Sequence, residues 1–122
     1  GSDVVVPQRT RMTEPDHYSV GSADASEIAQ MSQEQVLAAV PVRTERDPFT
    51  NKVKGLRIRS IQPNSVFARM GVQADDIVLE VNGVTATDRQ QLFTSLQNMP
   101  GGNVEVKIER MGGIRTLFFT LP

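Results

Sequence analysis

The side chains from which chemistry could be assembled are few: a single histidine, His17, an adjacent carboxylate pair, Asp75-Asp76, and a serine, Ser65, ahead of an apolar run. A nucleophilic serine needs a base within hydrogen-bonding reach and a sharp strand-to-helix turn to present it. Ser65 stands in Pro63-Asn64-Ser65 without a G-x-S-x-G setting, and His17 lies in a polar stretch, so no Ser-His-Asp arrangement is expected. The Asp pair suits acid–base or metal chemistry, but turn chemistry accounts for it better, because Asp hydrogen-bonds its own backbone. The chain has no cysteine, which excludes disulfides, thiolate nucleophiles, zinc–thiolate sites and iron–sulfur clusters. A lone histidine makes no multi-His metal site, and His17 is expected to be a solvated loop side chain. No catalytic residue, no metal and no cofactor is therefore expected, and the chain reads as a non-enzyme.

Charge narrows the partners. Thirteen Lys+Arg oppose fourteen Asp+Glu, a net charge of -1, so there is no electrostatic footprint for nucleic acid or for adhesion to an anionic membrane. Arg43, Arg46, Lys52, Lys54, Arg57 and Arg59 do cluster, but without interleaved aromatics they read as a solvated edge. No apolar run approaches the roughly 20 residues that span a bilayer. The chain opens on Gly1-Ser2, which reads as a scar of tag removal, so an anchor or signal in the parent protein is left open.

What remains to be positioned is a surface. Residues 1–25 mix Pro7, Pro15, Gly21 and scattered charges without period and read as a flexible linker, with a short added strand at Val4-Val5-Val6 as the minor alternative. A helix is predicted from Ser26 or Ser32 to about Ala39, where Ser32 and Gln35 have capping-box spacing and Pro41 ends it. Val42 to Arg46 alternates as a strand; Asp47 to Lys52 supplies turn residues; Leu56 to Ile61 alternates again. Ser65 is the expected N-cap of a short helix, Val66 to Met70, that Gly71 closes. Ile77 to Val81 is a buried strand, Asn82-Gly83 a tight turn, and Thr87 with Gln90 a second capping box opening a helix from Asp88 to about Asn98. In that helix Leu92, Leu96 and Met99 form one stripe. Val104 to Glu109 and Thr116 to Leu121 are strands joined by a turn at Met111-Gly112-Gly113.

Several landmarks in this order carry a family resemblance. The run Gly55-Leu56-Arg57-Ile58, then Pro63-Asn64-Ser65, Ala68-Arg69-Met70-Gly71-Val72, Asp75-Asp76-Ile77-Val78 and Val81-Asn82-Gly83 resembles a bacterial PDZ domain, with Asp75 where that family usually has glycine. Gly55-Leu56-Arg57, Phe67 and the preceding helix resemble more narrowly the C-terminal PDZ domain of the type II secretion system inner-membrane protein C. The resemblance implies an α+β fold, a partly open antiparallel barrel or sandwich of about five strands with two helices, plus the extra N-terminal helix. It divides the chain into a linker (1–25), an N-terminal helix (26–41) and the PDZ domain (42–122), the last expected to fold alone.

The same resemblance implies a site. A PDZ domain binds a peptide by strand addition at a sheet edge, with the terminal carboxylate in a turn of backbone N–H groups. Gly55 is the candidate for that turn, although an ordinary strand-start glycine is the plainer reading. Lys54, Leu56, Arg57, Ile58 and Arg59 would line or flank the groove, and Gln91, Leu92, Ser95 and Leu96 of the last helix would form its other wall, the two leucines being mainly core. The implied function is non-catalytic peptide recognition in a periplasmic domain of an inner-membrane secretion protein, whose partners are secreted substrates or secretin components. The alternatives are a substrate-sensing PDZ domain from a periplasmic serine protease or membrane metalloprotease, and a purely structural domain whose groove stays empty.

Overall fold

The computed structural model describes residues 9–98 and 101–122. Among them one open sheet runs β1 (Arg11–Glu14), β2 (His17–Ser19), β8 (Gly113–Leu121), β7 (Gly102–Arg110), β5 (Ile77–Val81), β4 (Val53–Ile58), β3 (Val42–Arg46), with the short β6 (Val84–Thr85) paired to β5. All neighbours are antiparallel except β2 and β8, which run parallel. The ends, β1 and β3, do not meet, so the sheet is not closed into a barrel.

Local signals account for most joints. Ser32 accepts from the Gln35 N–H and Gln35 returns to the Ser32 N–H, the full capping box, and Ser65 accepts from the Ala68 N–H. Asn82-Gly83 and Met111-Gly112 adopt the paired positive φ that a two-residue hairpin requires. Gly71 closes α3 (Val66–Arg69) at φ 79°, and Tyr18 covers it so closely that a Cβ would run into the phenol. Asp75, in the place where the resembling family has glycine, takes φ 72°, a conformation that Asp tolerates better than most residues.

Four expectations are corrected. The single N-terminal helix is two, α1 (Ser22–Gln30) and α2 (Gln33–Ala39), because the Ser32 capping box starts a new helix instead of continuing the old one. Residues 9–25 are not a linker: β1 and β2 extend the sheet, Val20 is buried, and the Tyr18 ring stacks on Phe119 with centroids 5.4 Å apart. This raises the strand count from the five expected to eight, the third addition being two-residue β6. His17 is not a solvated loop residue, since it sits in β2 and stacks on Phe118 at 4.6 Å. The second capping box does not form: Asp88, not Thr87, is the N-cap of α4 (Arg89–Gln97) and accepts from the Gln91 N–H, while the Gln91 side chain accepts from the Thr87 N–H, one residue before the cap. The Val4-Val5-Val6 and Met99 readings lie outside the described residues.

The core lies between the sheet and the helices. Leu56, Ile58, Val66, Val104, Ile108 and Leu117 are almost fully buried, and Val20, Ile28 and Val36 from before β3 belong to the same cluster. The carboxylates placed with the most care are buried. Asp24 accepts from Arg69 Nη2 (2.9 Å) and Nε (3.2 Å), from Arg9 Nη1 (2.8 Å) and from the Thr10 N–H (2.7 Å). Asp76 accepts from Arg110 Nε and Nη2 at 2.8 and 2.7 Å and from the Gln73 N–H at 3.0 Å. Turn chemistry holds for both, Asp75 through its positive φ and Asp76 through the Gln73 N–H, but the Asp76 side chain is in addition a buried anchor for Arg110 of β7.

Candidate functional site

A peptide can add only to a strand with a free side, so strand order decides the site. β4 has none: it pairs with β3 on one side and β5 on the other. The free edge is β3. Arg59 N–H donates to the Pro41 carbonyl at 2.8 Å, which makes Pro41/Arg59 a hydrogen-bonded pair. Because such pairs alternate in an antiparallel ladder, the backbone groups of Arg43 and Glu45 face β4, and those of Val42 and Thr44 face outward.

Next to this edge lies an apolar pocket of about 100 Å³. Its walls are Val36 and Leu37 of α2, the following Val40 and Val42 of β3 on one side, and Leu92, Phe93, Ser95 and Leu96 of α4 on the other, with Arg89 at hand and Ile58 in its lining. The helix α4 has no fully buried residue: Leu92, Phe93 and Leu96 are half-buried, packing on the core while leaving apolar surface to the pocket. A side chain entering from a strand added at β3 would find dispersion contacts and no competing polar groups there.

The ten residues singled out from the sequence divide accordingly. Ile58, Leu92, Ser95 and Leu96 line the pocket. Gln91 is spent on capping, its Oε1 accepting from the Thr87 N–H at 2.7 Å and hydroxyl at 2.8 Å. Lys54 pairs with Glu109 at 2.9 Å. Arg57 faces away from the pocket side of β4, donating to Glu45 at 3.0 and 3.1 Å, and its hydrogen bonds hold the Glu45 carboxyl below the usual range. Arg59 is exposed beyond the end of β4. Leu56 is core. Gly55 is neither exposed nor in a turn: it is buried within β4, and a Cβ there would collide with the Val78 carbonyl oxygen and lie 2.9 Å from Ile77 Cγ2. Glycine is needed at this position for close approach of β5, not to cradle an anion.

The residues that sequence reasoning missed are those of α2 and β3, together with Phe93. Val42 to Arg46 alternated visibly as a strand; what was invisible was that it, and not β4, ends the sheet. Among the described residues no group of three or more His, Asp or Glu side chains is arranged to hold a metal, and no helix is long and apolar enough to cross a membrane.

Comparisons with known proteins bear on the fold. Residues 57–110 match the family model described as PDZ domain. A probable periplasmic serine protease do/HhoA-like of Haemophilus influenzae is 32% identical over 62% of this chain, and the chain spans only 16% of that relative's length. The PDZ domain of EpsC from Vibrio cholerae superposes with a TM-score of 0.56 at 22% identity, covering 81% of this chain and 92% of that one. The HtrA3 PDZ domain bound to a phage-derived ligand gives 0.51 at 22% identity, over 64% and 76%. The family match begins at Arg57, so the edge strand β3 lies outside it.

Proposed function

We propose that this chain, which carries a PDZ domain, recognises extended polypeptide by pairing it with β3 in the groove against α4, without catalysis. The observation that carries this reading is the outward-facing backbone of β3, exposed at Thr44, next to Val42, whose buried side chain lines an apolar pocket. Backbone pairing supplies affinity and the pocket supplies selection. The site is therefore moved from β4, Gly55 and Lys54 to β3, α2 and α4, retaining Ile58, Leu92, Ser95 and Leu96. The biological setting we propose is the periplasmic part of an inner-membrane protein of type II secretion, engaging secreted substrates or secretin components. Its support is the motif resemblance together with the helices that precede the domain.

The second reading, a substrate-sensing PDZ domain of a periplasmic serine protease, is favoured by the sequence match to such a relative. The parent reading frame distinguishes the two: a protease domain beside this one supports the second, a lone transmembrane segment the first. The groove itself is tested with Thr44→Pro, which removes an outward N–H while leaving every donor that β4 uses. Peptide binding followed by NMR should be lost in this variant with circular dichroism unchanged. Undiminished binding, or wild-type shifts confined to residues remote from β3 and α4, would refute the site.

A further inference from the structure

Capture of a terminal carboxylate requires backbone N–H groups that converge and have no other acceptor. A strand added to β3 can run in either direction, so its end would lie either beside Val42 or beside the turn that follows Arg46. Both ends can be checked for donors.

Beside Val42 the chain arrives from α2 through Val40-Pro41. The Val40 N–H already donates to the Val36 carbonyl at 2.8 Å, and Pro41 has no N–H. The Arg43 N–H faces β4. Only the Val42 N–H is left on this side, one donor where a cradle needs several. What α2 directs toward this end is its carbonyl terminus, the negative pole of the helix, which disfavours an anion. There is also no glycine between Gln33 and Val42 to let the backbone fold around a carboxylate.

The other end is equally occupied. In the turn after β3 the Asp47 N–H donates to the Lys52 carbonyl (2.9 Å) and the Asn51 N–H to the Asp47 carbonyl (2.8 Å). Phe49 and Thr50 N–H both donate to Asp47 Oδ1, at 2.8 and 3.1 Å, and the Lys52 N–H donates to Thr50 Oγ1 at 3.3 Å. Pro48 has none to give. The turn satisfies its own backbone and offers no N–H of the main chain to a ligand. Arg89, the cation of the pocket lining, and Lys52, in the turn after β3, are exposed, where a single ion pair is worth little.

At the Val42 end the pocket is walled by Val36 and Leu37 of α2 and Leu96 of α4, all apolar. A ligand end reaching this wall would meet apolar side chains and no cluster of donors. We propose that the groove takes an internal stretch of an extended polypeptide, apolar at alternate residues, and does not select a free C-terminal carboxylate. This rests on the reading of the β3–α4 groove given above and names the ligand class of that site.

The experiment uses two random ten-residue peptide libraries displayed to the whole chain, one flanked at both ends by Gly-Ser and one ending in a free carboxylate. Selected peptides are then synthesised as free acids, as amides and with a C-terminal extension, and their Kd values are measured while amide shifts are followed. The proposal expects binders from the flanked library that shift Val42 and Thr44, with amidation or extension changing Kd by less than about tenfold. Binders from the free-end library alone, or a loss above that threshold on amidation, overturn it while leaving the groove intact. If neither library yields a peptide that shifts Val42 and Thr44, the groove reading falls and this proposal with it.

Discussion

The two edges of the sheet differ in what lies next to them. At β1 all four residues are exposed, Met12 by 60%, and the register slips between Met12 and Glu14. At β3 the ladder also slips, between Glu45 and Arg46, and charged side chains line the outer face. Both edges therefore carry the bulges and charges that discourage indiscriminate pairing. An apolar pocket lies beside β3. An unpaired backbone alone offers a stranger nothing to select. The edge becomes a recognition site where strand and helix leave apolar surface that a partner's side chains can cover.

The comparison also separates a fastened edge from a working one. The β1–β2 hairpin is held through the residues that follow it. Asp24, on α1, has a side chain with no exposure, and it ties Arg9 and Thr10 to Arg69 of α3. Burial would raise the Asp24 carboxyl, but the Arg69, Arg9 and Thr10 hydrogen bonds override it and hold the group well below the usual carboxylate range. The largest expected effect follows from this. Asp24→Ala should cost about 3 kcal/mol in urea unfolding, the low end for a broken buried pair because both arginines still reach water. A cost under about 1 kcal/mol would mean that the hairpin is peripheral and that residues 42–122 fold alone after all. Since its folded value is depressed, the Asp24 contribution is present above the unfolded carboxylate pKa and is lost as the pH falls below about 4. The gap between the wild type and Asp24→Asn should narrow over that range.

Gly55→Ala is next. With a Cβ directed at the Val78 carbonyl and Ile77, about 1–3 kcal/mol of stability should be lost in thermal unfolding. If the variant keeps full stability, β5 does not approach β4 as described, and Gly55 becomes available again as a turn residue. The smallest effect sharpens the contrast between the edges. Thr13→Pro in β1 should leave the Kd of a groove peptide unchanged within about twofold, where Thr44→Pro abolishes binding. Weakened binding in Thr13→Pro would show that the two edges communicate, or that peptide adds at β1.

Much of this fold is legible in local sequence because its joints depend on neighbours. Ser32 with Gln35, Ser65, Asn82-Gly83 and Met111-Gly112 each need only two to four consecutive residues to state a cap or a turn, and each does so here. The strands β3, β4, β5, β7 and β8 follow from alternation or aliphatic runs, and half of the groove follows from the stripe on α4. The hairpin β1–β2 was not legible. Its seven residues have no apolar period, and its partner β8 lies about a hundred positions away in the chain, so its stability comes from Tyr18 on Phe119 and from Asp24 and not from its own composition. Asp76 misled for a related reason: one carboxylate in a turn and one in a buried fork with Arg110 look alike until Arg110 is brought across from β7.

The sequence by itself determined which segments turn, cap and alternate, and it excluded thiol chemistry and a multi-His metal site by composition. What only the tertiary structure decided is which strand is left without a neighbour. Alternation tells that Val42 to Arg46 and Leu56 to Ile61 are both strands, the second lying at Val53–Ile58 in the structure, but the free side belongs to the one that long-range pairing leaves at the end, and pairing is a property of the whole sheet. Gly55 moved from anion cradle to packing glycine, and the groove moved from β4 to β3, because β5 claims the far side of β4. The same long-range order left Val42 and Thr44 facing outward beside α4.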